Sequence, residues 1–471
     1  MNDFMKKFAQ FSLGPVVAGF IGIFTVLLTS YFILREDMGK VGMFTLMQTL
    51  MVSFVFVGLD QAYTREYHVE KNQRNLFFHA LGIPLLLSVC FLLILSVTPY
   101  FFSYLLFGSR EYPGVIILIG IFGVFITVER FVLLNLRMAE KAIEFSVFTI
   151  VLRILVLILT LVFVLFIRQD FLAVVYSMIL GQMIGDVLLF VRNWKMFSLK
   201  GIGLDTRLLR RLLLFGLPLL VSVGIGSVLS GFDRTALRIW SDFEQQGIYA
   251  MSMKLMGVLL IFSHGFTTFW VPTAYRWYEE GKNTRDYKMV SDGILTVMAL
   301  AFVGVLICRP VVVWILASEY SDVQFLLGFL SLWPIMLMLS ETTTLGIVFS
   351  RKSYLNIFVS VITAIVTIGT NVLLVPRYGA VGAAAAMGIS WVVFFFARTV
   401  FSFKVWEGFR ITRHIIIVVL LVFLAFMNTR EGFYVIIVNI ASLPIILLIN
   451  LDIVKLLYVK VKMQYKHRES K

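Results

Sequence analysis

"NVLLVPRYGAVGAAAAMGIS", Asn371 to Ser390, decides how this chain folds. An apolar run stops at Val375, four residues "PRYG" follow, and a second apolar run opens with almost nothing larger than alanine. Proline lacks an amide N–H and ends a helix, and glycine admits backbone angles that other residues resist. Small side chains let helices in a bilayer approach closely. The stretch therefore predicts a short outside turn between two membrane helices. The small face of Gly379, Ala380, Gly382, Ala383, Ala384, Ala385, Ala386 and Gly388 is a packing device within one lobe, not a substrate site.

The rest of the chain agrees. Of its 471 residues, 60% are hydrophobic and only 14% charged, with mean hydropathy +0.93. A soluble core does not absorb that much apolar surface, and long apolar stretches of this kind read as membrane spans. Cys90 and Cys308 sit inside apolar runs and suggest neither a disulfide framework nor a metal site. The five histidines are scattered without ligand spacing, so no metal and no cofactor is expected. The net charge of +14 reads as basic cytoplasmic loops, not as nucleic-acid binding.

About fourteen apolar stretches approach the ~20 residues a bilayer needs. The first, 11–34, lacks a small-residue cleavage site and is followed by further spans, so it is not a removable signal. With the N-terminus placed inside, 29 of the 41 lysines and arginines fall in cytoplasmic segments and nine outside; Arg130, Arg153 and Lys254 lie within spans. This bias predicts that both termini are cytoplasmic and that the even span count holds. The basic segment "RNWKMFSLKGIGLDTRLLRR" then divides two similar halves and reads as a topology-fixing linker.

"FSLGPVVAGFIG" opens the first half at Phe11 and "FGLPLLVSVGIG" opens the second at Phe215. "GKVGMF" at 39–44 matches "QGIYAM" at 246–251, and the segment from Glu129 aligns with that from Glu341. Each half holds six spans, so the repeat is parallel, about an axis along the membrane normal. The expected organisation is an all-α membrane protein. It has an N-terminal six-helix lobe (1–193), a basic cytoplasmic linker (194–211) and a C-terminal six-helix lobe (212–403). Two additional helices (414–456) and a basic cytoplasmic tail (457–471) complete it.

The pattern of asparagine, apolar run, Pro-x-Tyr-Gly and "AVGAAAA" resembles the polysaccharide transporter branch of the MATE-like MOP superfamily, which includes the Wzx-type O-antigen and exopolysaccharide flippases. "GFDRTALRIWSDFEQQGIYAMSMKL" (231–255) is a second element similar to that family. The resemblance covers the first twelve spans and marks the family better than the sugar carried. It implies two pseudo-symmetric lobes and alternating access. It also implies an undecaprenyl-diphosphate-linked oligosaccharide moved from the cytoplasmic to the outer leaflet of the plasma (inner) membrane. A polysaccharide polymerase and a chain-length regulator would be its partners, beside the membrane lipids.

Ionisable groups inside spans carry the chemistry, because burying one costs about 2.5–3.5 kcal/mol on the insertion scale. Arg153, near the middle of the fifth span, is read as a cation meeting the diphosphate through its bidentate fork, with a structural pair to Glu129 or Asp186 as the alternative. Lys254 and Arg130 are further candidate cations, and Arg398 is expected to snorkel to the interface. Glu129, Glu341 and Asp186 are the candidates for binding a coupling proton or sodium ion. Asp60 is read as structural. Tyr31, Tyr249, Trp270 and Tyr275 would stack on sugars or, by the commoner use, belong to the interfacial belt.

The outer loops are too short to hold the catalytic apparatus of a membrane polymerase or glycosyltransferase, so no enzyme is expected. No G-x-x-x-x-G-K-[ST] loop is present, which leaves an ion gradient as the energy source. An ion-coupled multidrug exporter of the same superfamily is the competing reading.

Overall fold

A computed structural model describes residues 2–198, 202–350, 352, 354–452 and 455. The expected tail at 457–471 and three linker residues, 199–201, lie outside them. Among the described residues every regular element is helical. Contacts divide the chain into two units, Met1–Thr235 and Ala236–Lys471.

The first unit contains α1 (Asn2–Phe32), α2 (Arg35–Val55), α3 (Leu59–Glu66), α4 (Gln73–Val97), α5 (Pro99–Phe107), α6 (Pro113–Met138), α7 (Ala142–Val162) and α8 (Phe171–Arg192). It also takes in most of α9 (Thr206–Trp240). α1 packs along α7, α4 along α6, and α8 against both α6 and α7. Small residues set these approaches: a Cβ on Gly14 would stand 2.7 Å from the Ser146 Cα, and one on Gly181 2.8 Å from the Val156 Cα. Such side-chain-free contact is how helices associate where lipid removes the hydrophobic drive between them. One end of the unit is closed by Tyr63, Phe77 and Phe131, packed edge to face, with Leu208 and Leu212 of α9 against them.

The second unit contains α10 (Phe243–Glu279), α11 (Thr284–Ile307), α12 (Arg309–Ile315), α13 (Leu327–Thr343), α14 (Leu345–Phe349), α15 (Leu355–Phe403), α16 (Thr412–Met427) and α17 (Phe433–Ile449). α13 is buried nearly all round and is the hub against which α10, α11, α15 and α16 pack; a helix apolar on every face belongs in that place. The last two helices lie on α11 and are tied to it by polar contacts, with Ser291 Oγ 2.9 Å from His414 Nε2.

The turn read in "PRYG" is present inside α15. Gly379 takes φ 52°, ψ −127°, and the Ala380 N–H donates to Gln245 Oε1 at 3.0 Å. Beyond it the chain lies so close to the arm it came from that a Cβ on Gly382 would be 2.4 Å from the Leu374 oxygen. The apolar stretch 41–62 is not one continuous helix. Val57 and Gly58 both adopt left-handed angles (φ 52° and 68°) and separate α2 from α3. Among the described residues, eight helices are long and apolar enough to cross a membrane, or nine if Ser318–Phe325 and Leu327–Thr343, bent by 54°, form one span.

Candidate functional site

The break at Val57–Gly58 shapes a cavity of about 560 Å³ in the first unit. Its walls come from α2, the α2–α3 break, α6 and the start of α7, and include Ser53, Asp60, Glu129, Arg130, Arg137 and Thr149. A β-branched residue at positive φ is strained, and such strain gathers where surroundings enforce a particular geometry. Here the redirected chain places Asp60, which is 7% exposed, in the first turn of α3. Arg130 Nη2 donates to Asp60 Oδ2 at 2.8 Å, and the Arg130 guanidinium also lies 5.9 Å from the centre of the Phe56 ring.

Behind this wall the carboxylates converge. Gln182 Nε2 donates to Asp186 Oδ1 at 3.0 Å, and the same side chain lies beside Glu129. Asp186 is fully buried, and its Oδ2 has no hydrogen-bond partner among the described residues. Arg153 acts electrostatically on Glu129, one turn along α7 from Thr149 of the cavity wall. The side chain of Arg153 is exposed and is not among the cavity-lining groups. Four sequence candidates thus share one neighbourhood: Glu129 and Arg130 on α6, Arg153 on α7 and Asp186 on α8. Two basic forks and two carboxylates face the cavity itself, which can hold a polar, doubly anionic group while each carboxylate keeps a basic neighbour.

The other candidates lie in the second unit. Lys254 is half-buried on α10. Glu341, on α13, accepts from Arg398 Nη1 at 2.7 Å, and the same nitrogen donates to Ser340 Oγ at 2.9 Å. Arg398 is therefore held by Glu341 within the unit and does not snorkel; removing either partner would strand a mostly buried charge. Of the candidate stacking aromatics, Tyr249 and Trp270 are buried in packing contacts, whereas Tyr31 and Tyr275 are exposed. The Trp270 indole N–H donates to the Glu341 carbonyl at 3.2 Å.

Three participants were not singled out from sequence: Asp60 as the Arg130 partner, Gln182 as the amide between two acids, and Arg137 on the cavity wall. The only sequence signal for the break is the glycine in "FVGLD", and an isolated glycine in an apolar run is weak punctuation. Gln182 and Asp186 stand four apart, which puts both on one helix face.

The sequence of the family described as "Polysaccharide biosynthesis protein" matches residues 4–277. No curated protein matches the chain in sequence. Among solved structures, the lipid II flippase MurJ in an inward closed conformation is similar over 96% of this chain and 99% of its own, with TM-score 0.71 and 13% identity. An inward-facing multidrug resistance MATE family transporter of the MOP superfamily covers 82% of this chain and 93% of its own, with TM-score 0.64 and 13% identity. A MOP superfamily transporter from Pyrococcus furiosus covers 85% and 95%, with TM-score 0.59 and 15% identity. At such identities the likeness is one of fold.

Proposed function

The chain belongs to the polysaccharide biosynthesis protein family, and from that membership and its likeness in fold to MurJ and MATE transporters we propose that it is a flippase of the MOP superfamily for a lipid-diphosphate-linked oligosaccharide. Its family and fold are those of membrane-spanning transporters and flippases, not of enzymes. The observation that carries the reading is the first-unit cavity, where Arg130 and Arg137 stand beside Asp60 and Glu129. Planar guanidinium groups suit a diphosphate, and a polar recess shields a sugar head from lipid while the polyprenyl tail stays outside.

In this reading the substrate is the undecaprenyl-diphosphate-linked repeat unit of an O-antigen, capsule or exopolysaccharide. It passes from the cytoplasmic to the outer leaflet of the inner membrane. Arg130, Arg153 and Lys254 attract the diphosphate. Glu129 and Asp186, linked through Gln182, take up the coupling proton or sodium ion, with Glu341 as the second-half counterpart of Glu129. Fourteen spans, two pseudo-symmetric lobes and cytoplasmic termini complete the proposal, with lobe bounds at 1–193 and 212–403 and helices at 414–456 added.

The test is the sidedness of the lipid-linked oligosaccharide in cells lacking the protein, carrying it, and carrying Arg130→Ala or Arg153→Ala at normal protein level. Inner-leaflet accumulation without the protein, relieved by it and restored by the variants, is expected. Unchanged sidedness throughout would sink the flippase reading and leave drug efflux as the next activity to assay. In energised vesicles a proton or sodium ionophore should stop flipping; continued flipping would remove the ion-coupling part.

A further inference from the structure

Arg309, in the second unit, is 8% exposed, and among the described residues the carboxylate that acts on it is Glu431. Its hydrogen bonds there run through Nη1 alone, to the Asn428 carbonyl at 2.8 Å and, longer, to Asn428 Oδ1 at 3.4 Å. The guanidinium lies 5.7 Å from the centre of the Phe325 ring. Nε and Nη2 are left with donors to give. Glu431 contributes only at longer range and accepts from Gln324 Nε2 at 3.4 Å.

A pocket of about 210 Å³ opens at this group. Gln324 and Asn439 supply its polar wall, and Leu306, Val313 and Ile436 part of its apolar wall. The polar side is built firmly. Asn428 Nδ2 donates to Asn439 Oδ1 at 2.9 Å and Asn439 Nδ2 returns a bond to Asn428 Oδ1 at 3.1 Å, so the amides holding Arg309 are themselves fixed. An enclosed cation with no carboxylate hydrogen-bonded to it is costly, and an anion entering beside it repays that cost. The volume is below the ~300 Å³ at which ordinary small-molecule sites begin, so it suits one phosphate group and not an oligosaccharide. Arg309 stands two residues past the end of the apolar helix Thr284–Ile307, a candidate membrane span, and basic side chains at span ends reach toward headgroups.

We propose that this pocket binds a phosphodiester, and that the apolar wall selects the headgroup of an anionic phospholipid. The site is separate from the first-unit cavity and does not depend on the flippase reading.

The experiment measures retention of phosphatidylglycerol, phosphatidylcholine and inorganic phosphate by native mass spectrometry of the purified full chain. It compares wild type, Arg309→Gln and Val313→Trp. The second variant leaves the Arg309–Asn428 bond intact and fills the pocket, so it stands alone if Arg309→Gln does not fold. Wild type should retain phosphatidylglycerol in preference to phosphatidylcholine. Both variants should lose roughly tenfold or more in affinity, the worth of a charge-assisted hydrogen bond. Equal retention of the two lipids, or unchanged retention by folded variants, overturns the proposal. Binding of inorganic phosphate without any preference for phosphatidylglycerol overturns the lipid assignment.

Discussion

Arg130 Nη2 and Asp60 Oδ2 stand 2.8 Å apart across 70 residues of sequence, joining the C-terminal half of α6 to the first turn of α3. The pair is asymmetric: the Asp60 side chain is 10% exposed and that of Arg130 46%. Losing the arginine strands a buried acid, whereas losing the acid leaves an arginine that water or substrate can reach. Arg130→Met should therefore destabilise more than Asp60→Asn. A double-mutant cycle by thermal unfolding in detergent should return a coupling of about 1 kcal/mol, the upper range for a partly exposed pair. Strict additivity would mean that the contact does not hold the break in place.

Gln182 is the hinge of the carboxylate group. Its amide donates to Asp186 at 3.0 Å and lies beside Glu129, while Asp186 Oδ2 lacks a hydrogen-bond partner among the described residues. Gln182→Leu removes that donor and leaves two acids facing each other in an apolar setting. The expected loss is about 1–3 kcal/mol of stability, the cost of stranding a buried polar group. Transport should fall in parallel. Wild-type stability in Gln182→Leu would show that the amide does not bridge the acids.

The turn at Gly379 was legible because its signal is local: proline, a glycine three residues on, and a run too small to be anything but a contact face. Glu129 and Arg153 were legible because a charge stands out in an apolar run. The break at Val57 was not, since "FVFVGLD" continues the hydrophobic run and its single glycine is weak punctuation. Asp60–Arg130 and Glu341–Arg398 were hidden for another reason. Their partners are 70 and 57 residues apart, and only the packing of α3 on α6 and of α15 on α13 brings them together. Gln182 carries no charge, so a search for ionisable groups passed over the residue that organises them.

Glycines in this chain should respond to substitution with opposite signs. Gly58 holds φ 68°, and a Cβ there would meet the Gly216 oxygen at 2.6 Å; a Cβ on Gly216 would meet the Val57 oxygen at the same distance. Left-handed backbone costs an L-residue about 1–2 kcal/mol, and the backbone clash must also displace α9. Gly58→Ala should cost at least about 2 kcal/mol and reshape the cavity it lines. Gly82, inside α4, has nothing within 4 Å of its added Cβ. Gly82→Ala should gain about 0.5–1 kcal/mol by helix propensity. Thermal unfolding of both variants decides the matter; the same sign for both would contradict the left-handed geometry at Gly58.

Acid should loosen the mid-chain linker where it enters α9. Asp205 Oδ1 accepts the N–H groups of Leu208 (2.9 Å) and Arg207 (3.0 Å), capping the helix. The Asp205 N–H donates to His79 Nε2 at 3.0 Å, and His79 Nδ1 is 2.8 Å from the Asn75 oxygen. The Leu208 N–H, then that of Arg207, holds the Asp205 carboxyl below the usual carboxylate range. A carboxyl depressed on folding adds stability above its unfolded value, near 3.9, and loses it as pH falls through the lower folded value. Protection of the 206–211 amides should therefore be flat from pH 7 to about 5 and drop several-fold below about pH 4. Hydrogen exchange corrected for intrinsic rates, in wild type and in a His79→Gln background, gives the profile. Asp205→Ala should lower protection at every pH and abolish the acid step. Asp205→Asn, which keeps a capping oxygen, should abolish the step while retaining most of the protection. An acid step that survives in Asp205→Asn would place the titrating group elsewhere.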